Sequence, residues 1–222
     1  MMKDEILINL FGQKRLNSYK LTKNEDSSII LSRYFYNIEL SEALYPILSI
    51  LEVSLRNRIY KAIEFVIEPD WLIKELQKQR VLLNKEHQKL VEAYGKLIKK
   101  KYTNICSDDL IAELSLGFWV NLCTKKYKTS LWHREGFFRI VFQDYPNFSE
   151  FDKLSKIFPI LNLFWKLRNR VFHHEIIINH PYGIDNCYND LRVLLSYISK
   201  DSLSALNKIC KFNKIYRKQK PQ

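Results

Sequence analysis

Leu44-Tyr45-Pro46-Ile47-Leu48-Ser49-Ile50-Leu51-Glu52-Val53-Ser54-Leu55-Arg56-Asn57-Arg58-Ile59-Tyr60-Lys61-Ala62-Ile63-Glu64-Phe65-Val66 is the stretch that decides the fold. Leu44, Ile47, Leu48, Leu51, Leu55, Ile59, Ala62, Ile63 and Val66 recur at steps of three and four, which places them on one face of a helix. The pattern takes hold at Glu39, and Pro69 stops it. Pro46 then falls in the first turns, where a missing N–H is tolerated.

The same period runs outward in both directions. Leu76–Lys101 is a second long helical pattern with Lys, Gln and Glu on its outer side. Ser107-Asp108-Asp109 reads as an N-cap with acidic residues in the first turn, opening a helix that carries Leu110, Ile111, Leu114, Phe118 and Leu122. Residues 124–148 read as a connection in which Lys125, Lys126, Lys128, His133 and Arg134 interleave with Tyr127, Trp132, Phe137, Phe138 and Tyr145. Ser149-x-x-Asp152 resembles a capping box, Pro159 is expected to divide the segment that follows, and Pro181 and Gly183 to end the next helix. Leu191, Leu194, Leu195 and Ile198 mark a last one. Upstream, Ile6, Leu7, Leu10 and Phe11 suit a short helix, and Asn24–Ser28 a loop. No period-2 alternation persists, so the expected fold class is all-α, a bundle of six to eight helices with little or no strand. Residues 1–38 are expected to form an N-terminal extension, 39–200 the helical domain, and 201–222 a frayed basic tail carrying Lys208, Lys211, Lys214, Arg217, Lys218 and Lys220.

The 222 residues are 46% apolar and 14% aromatic, enough for a substantial core and too apolar for a disordered chain. Thirty-six Lys and Arg against 24 Asp and Glu leave a formal charge of +12, which favours an acidic polymer or an anionic surface as partner. The plainer alternative is lysines solvating helix faces. Cys106, Cys123, Cys187 and Cys210 lack the spacing of a disulfide framework or a zinc site. No secretory signal is read at the N-terminus, and no apolar run approaches the length that spans a membrane. A cytoplasmic protein is expected.

Chemistry concentrates in Lys166-Leu167-Arg168-Asn169-Arg170-Val171-Phe172-His173-His174-Glu175. Phosphodiester chemistry needs a cation to hold phosphate and a group titrating near neutrality to move a proton. Arg offers a fixed fork of donors for the first, and His suits the second. On a helix Asn169 lies under His173, whereas Arg168 sits roughly 140° around the axis from it. The two converge only if the helix lines a groove and Arg168 reaches sideways; otherwise the arginines are solvated and His173 is a core residue. Leu55-Arg56-Asn57-Arg58 echoes Leu167-Arg168-Asn169-Arg170, read either as two helices with similar needs or as two Arg-Asn pairs facing one cleft. Adjacent His173 and His174 point about 100° apart and rarely chelate one ion, and His87, His133 and His180 follow no ligand spacing, so no metal is expected. There is no nucleophile elbow and no glycine-rich phosphate loop. No cofactor is expected.

The string resembles the Arg-x4-6-His signature of HEPN-domain proteins, in the Arg-Asn-x-x-x-His form of Abi-like (abortive infection) bacterial proteins. The likeness is specific over residues 161–178 and looser over 40–62. It implies a HEPN-like bundle with additional helices and a metal-independent endoribonuclease acting on single-stranded or loop RNA. The RNA 2′-OH would attack the adjacent phosphorus, leaving a 2′,3′-cyclic phosphate. His173 would transfer protons, Arg168 would stabilise phosphate charge and Asn169 would position it. His174, Glu175, Glu52, Arg56 and Asn57 would support the site, and Lys166, Arg170 and Arg58 would contact RNA. The resemblance further implies a homodimer, an antitoxin or phage-derived trigger, and a role in anti-phage defence or as a toxin. A non-catalytic RNA-binding module, and a dimeric partner-binding module, are the alternatives.

Overall fold

The apolar ladder of residues 44–66 belongs to a helix far longer than itself. The computed structural model describes residues 2–100, 103–148 and 153–217. Within them α1 (Met2–Phe11) and α2 (Gln13–Asn17) lead to α3 (Ser27–Val66), 40 residues long and so roughly 60 Å. Asp26 caps α3 by accepting the Ser28 N–H at 2.9 Å. The boundary expected after residue 38 therefore falls inside a helix, and α1 and α2 pack on that helix. Ile30, Leu31 and Leu40 extend the same buried stripe. Pro46 is a mid-helix residue for the same reason, and it leaves the Glu42 carbonyl without its helical donor.

The other helices wrap this rod. They are α4 (Trp71–Gln77), α5 (Asn84–Lys99), α6 (Ser107–Glu113), α7 (Leu116–Leu122), α8 (Phe137–Val141), α9 (Lys153–Phe172), α10 (Ile184–Ile198), α11 (Lys200–Ile209) and α12 (Phe212–Tyr216). Helices α6 to α12 all pack directly against α3, and Trp71 of α4 meets the Tyr60 ring of α3 at 6.0 Å. Among the described residues there is no strand, and the fold is all-α. No helix there is long and apolar enough to cross a membrane.

Several expected elements divide or merge, each for a local reason. The long pattern from Leu76 splits into α4 and α5 because residues 80–82 wrap the buried carboxylate of Glu75. It accepts the Arg80 and Val81 N–H groups at 3.1 Å and that of Leu82 at 2.7 Å. The cap before α6 is Cys106 rather than Ser107, with the Asp109 carboxylate accepting the Cys106 N–H at 2.9 Å. Extended backbone at Leu114 breaks the expected single helix into α6 and α7. Pro159 sits inside an unbroken α9 instead of ending it, while the capping box expected at 149–152 lies outside the described residues.

Residues 124–148 are not a loose basic connection. A 3-10 turn (Lys125–Tyr127), a π-type turn (Lys128–Trp132) and α8 bury Tyr127, Trp132, Phe137, Phe142 and Tyr145. Trp132 stacks on Phe142 and meets Phe137 edge-on at 4.8 Å, so these aromatics are core. Residues 201–217 of the expected tail also fold, because Leu206 of α11 and Phe212 of α12 are buried and the Phe212 ring stacks on Tyr188 at 4.1 Å. Lys218 and Lys220 lie outside the described residues.

Candidate functional site

The motif straddles the end of a helix rather than lying within one. α9 stops at Phe172, well before Pro181, and the chain leaves it through a left-handed residue, His174, at φ 58°. The His174 N–H donates to the Val171 carbonyl at 3.1 Å and the Glu175 N–H to the Arg170 carbonyl at 2.8 Å. This bond pair is the Schellman closure, which satisfies orphan carbonyls and normally places glycine where His174 stands. We expect His174→Gly to stabilise the fold by about 0.5–1 kcal/mol, since it removes a Cβ from left-handed backbone. Urea denaturation measures this; unchanged or lower stability would show that the imidazole itself supports the turn.

Asn37 of α3 clamps the segment beyond the turn. It is buried among the apolar residues of its stripe, and its amide donates to the Glu175 carbonyl at 3.2 Å. Its side-chain oxygen accepts the N–H groups of Ile177 at 2.7 Å and Ile178 at 3.3 Å. Arg15, the last basic residue of α2, donates to the His174 carbonyl. Asn37→Ala leaves buried backbone groups without partners, so a loss of about 3 kcal/mol is expected in chemical denaturation. A loss below about 1 kcal/mol would mean that water replaces the clamp.

Arg168 faces α3. Its Nε and one terminal nitrogen hold the Glu52 carboxylate at 2.9 and 3.3 Å, a two-point ion pair. The guanidinium lies over the Phe172 ring, 4.3 Å from its centroid, and that ring meets Tyr45 at 5.9 Å. Arg56 follows Glu52 by one turn on α3, and its Nε is buried with no hydrogen-bond partner among the described residues.

His173 is exposed, which excludes the core alternative. Its backbone N–H continues the helical ladder to the Asn169 carbonyl at 2.8 Å. Among the described residues no side chain bonds the imidazole, so the expected orienting bond from Asn169 is not formed. Arg170 pairs with Glu175 at 3.3 Å, and Lys166 is exposed. His180 holds the Cys187 thiol 3.3 Å from Nδ1. Burial, and then the charge of Arg170, keep His180 below the ordinary imidazole pKa.

The structure thus brings Arg168, Glu52, Tyr45 and Phe172 together and leaves His173 exposed at the end of α9. Asn57 and Arg58 do not join them. They lie on another face of α3, lining a cavity of about 680 Å3 with Lys61 and Asp70. A second groove, of about 940 Å3, adjoins the motif and takes Tyr45, Phe172 and His174 as one wall and Lys211 and Lys214 as another. Among the described residues no group of three or more His, Cys, Asp or Glu side chains could hold a metal ion.

The motif string misses Asn37, Arg15 and Tyr45, and it contains Phe172 without marking its place under the Arg168 guanidinium. Asn37 has a signal: with Arg33 it is a polar residue on the buried stripe of α3. Comparison of the chain with protein-family models, with curated proteins and with solved structures finds no match.

Proposed function

We propose that the protein is a metal-independent endoribonuclease of the HEPN type, cleaving single-stranded or looped RNA in anti-phage defence or as a toxin. The observation that carries the reading is an exposed imidazole, His173, with no bonded partner among the described residues, five positions along the chain from a guanidinium, Arg168, that Glu52 holds in place. An imidazole free of internal partners can accept the 2′-OH proton, because no existing bond must first break. Glu52 uses two of the five guanidinium donors, so three remain for phosphate oxygens. The formal charge of +12 suits a polyanionic substrate.

Atoms balance without a cofactor. The 2′-oxygen bonds to phosphorus, the P–O5′ bond breaks, and the proton taken from the 2′-OH is matched by one delivered to the leaving 5′-oxygen. Arg168 and His173 leave the helix axis about 140° apart, so a second copy supplying an opposing motif would complete the site. A homodimer is part of the proposal.

The second reading is an RNA-binding module without turnover. It is favoured by the same angular separation, which keeps the two groups apart within one chain.

The deciding experiment incubates the purified protein with mixed-sequence single-stranded RNA in EDTA and analyses the product ends. Cleavage leaving 2′,3′-cyclic phosphate and 5′-OH ends is expected, weakening as salt rises. RNA retention without cleavage, in protein shown to be folded, would select the binding module instead.

A further inference from the structure

We propose that the 940 Å3 groove beside the motif binds a nucleobase of the RNA strand next to the scissile phosphate. This rests on the ribonuclease reading and adds to it a subsite with its own base preference.

Three features of the groove fit a base flanked by phosphates. The first is an aromatic pair with unused surface: Tyr45 is 54% exposed and Phe172 41% exposed. Exposed rings of this kind stack with any base, at a free-energy gain that makes them costly to delete. The second is position. Phe172 belongs to both places, since its ring lines the groove and carries the Arg168 guanidinium at 4.3 Å. A phosphate on the free donors of Arg168 therefore lies within one nucleotide of a base in the groove.

The third feature is the distribution of charge. Lys211 and Lys214 stand on the α12 side, and the exposed Glu42 carboxylate on the α3 side with Glu39. Carboxylates repel phosphate but accept hydrogen bonds from an exocyclic amine, as Glu does from the cytosine amino group. The strand then enters with its base toward α3 and its next phosphate toward the two lysines. Adenine and cytosine offer such an amine on the exposed edge, and uracil does not. The subsite should discriminate against uracil. His174, in its left-handed conformation, stands on the same wall as the rings.

The test uses fluorescein-labelled 2′-O-methyl 12-mers of A, C and U, which no 2′-OH mechanism can cleave, with binding read by anisotropy. The native protein should bind the A and C oligomers several-fold more tightly than U. Tyr45→Ala should weaken C-oligomer binding about tenfold, and Glu42→Gln should erase the preference over U. The pair Lys211→Gln and Lys214→Gln should lower the salt slope by about 1.4. Val53→Ala is the control, an exposed α3 residue away from the groove. Tyr45→Ala binding like Val53→Ala would overturn the groove while leaving the RNA reading intact. No binding of any oligomer by the native protein would overturn both. Unchanged RNA affinity with an altered monomer–dimer balance in Tyr45→Ala would make the groove an interface between copies and overturn its assignment to RNA.

Discussion

His173→Ala should lower RNA cleavage by about 10²–10⁴-fold while leaving stability within about 0.5 kcal/mol of the native value. The asymmetry follows from where the side chain sits. Its imidazole is exposed and bonds to no described side chain, so its removal opens no cavity and strands no buried polar group. What holds residue 173 in place is its backbone bond to the Asn169 carbonyl, which alanine keeps. A proton-transfer group acts mainly in the transition state, so affinity for uncleavable RNA should not change. His174→Ala should be milder for cleavage, because its side chain turns toward the groove from a left-handed residue. Single-turnover cleavage, urea denaturation and anisotropy read the three quantities separately. Full cleavage by His173→Ala would remove the nuclease assignment from this motif.

The helical period sufficed for fold class because α3 is so regular. The eight residues from Leu44 to Ile63 expected on its inner face are all buried, and Val66 is half-buried. Boundaries were less legible, for reasons that act across the chain. The Glu75 carboxylate converts a helix-compatible stretch into a loop by taking three backbone donors. Phe212 turns a lysine-rich tail into a packed helix by stacking on Tyr188. An N-cap at Asp26 starts α3 well before the strong pattern and moves Pro46 from its first turns to its middle.

The site divides the same way. Arg168, Asn169 and His173 are adjacent in the chain and could be singled out together. Their mutual orientation depends on a helix ending at Phe172, and a left-handed histidine gives weaker warning of that end than a glycine would. The echo at 55–58 misleads about geometry, since neighbouring helical residues face different ways. Arg56 shares the Glu52 side of α3, whereas Asn57 and Arg58 look into a separate cavity. The clamp at Asn37 joins residues some 140 positions apart, a separation no local pattern reports.

Arg168→Ala should reduce cleavage by about 10²-fold or more, and it should also destabilise the fold. Both effects come from one guanidinium with two employments. Toward α3 it neutralises Glu52, whose half-buried carboxylate would be left without its partner, at a cost of about 1–2 kcal/mol. Toward solvent its remaining donors are the proposed phosphate contact, acting in ground and transition states alike, so RNA affinity should weaken several-fold as well. Arg168→Lys should not restore activity, because an ammonium offers neither the two-point fork nor the planar face that lies over Phe172. The decisive comparison is the double variant with Glu52→Ala. Removing the stranded carboxylate should return most of the lost stability, since the pair interacts directly and the two changes are not additive. Cleavage should stay low, because the phosphate contact is still missing. If cleavage instead returned together with stability, Arg168 would be a structural partner of Glu52 alone, and the charge that steadies the phosphate would have to come from another residue.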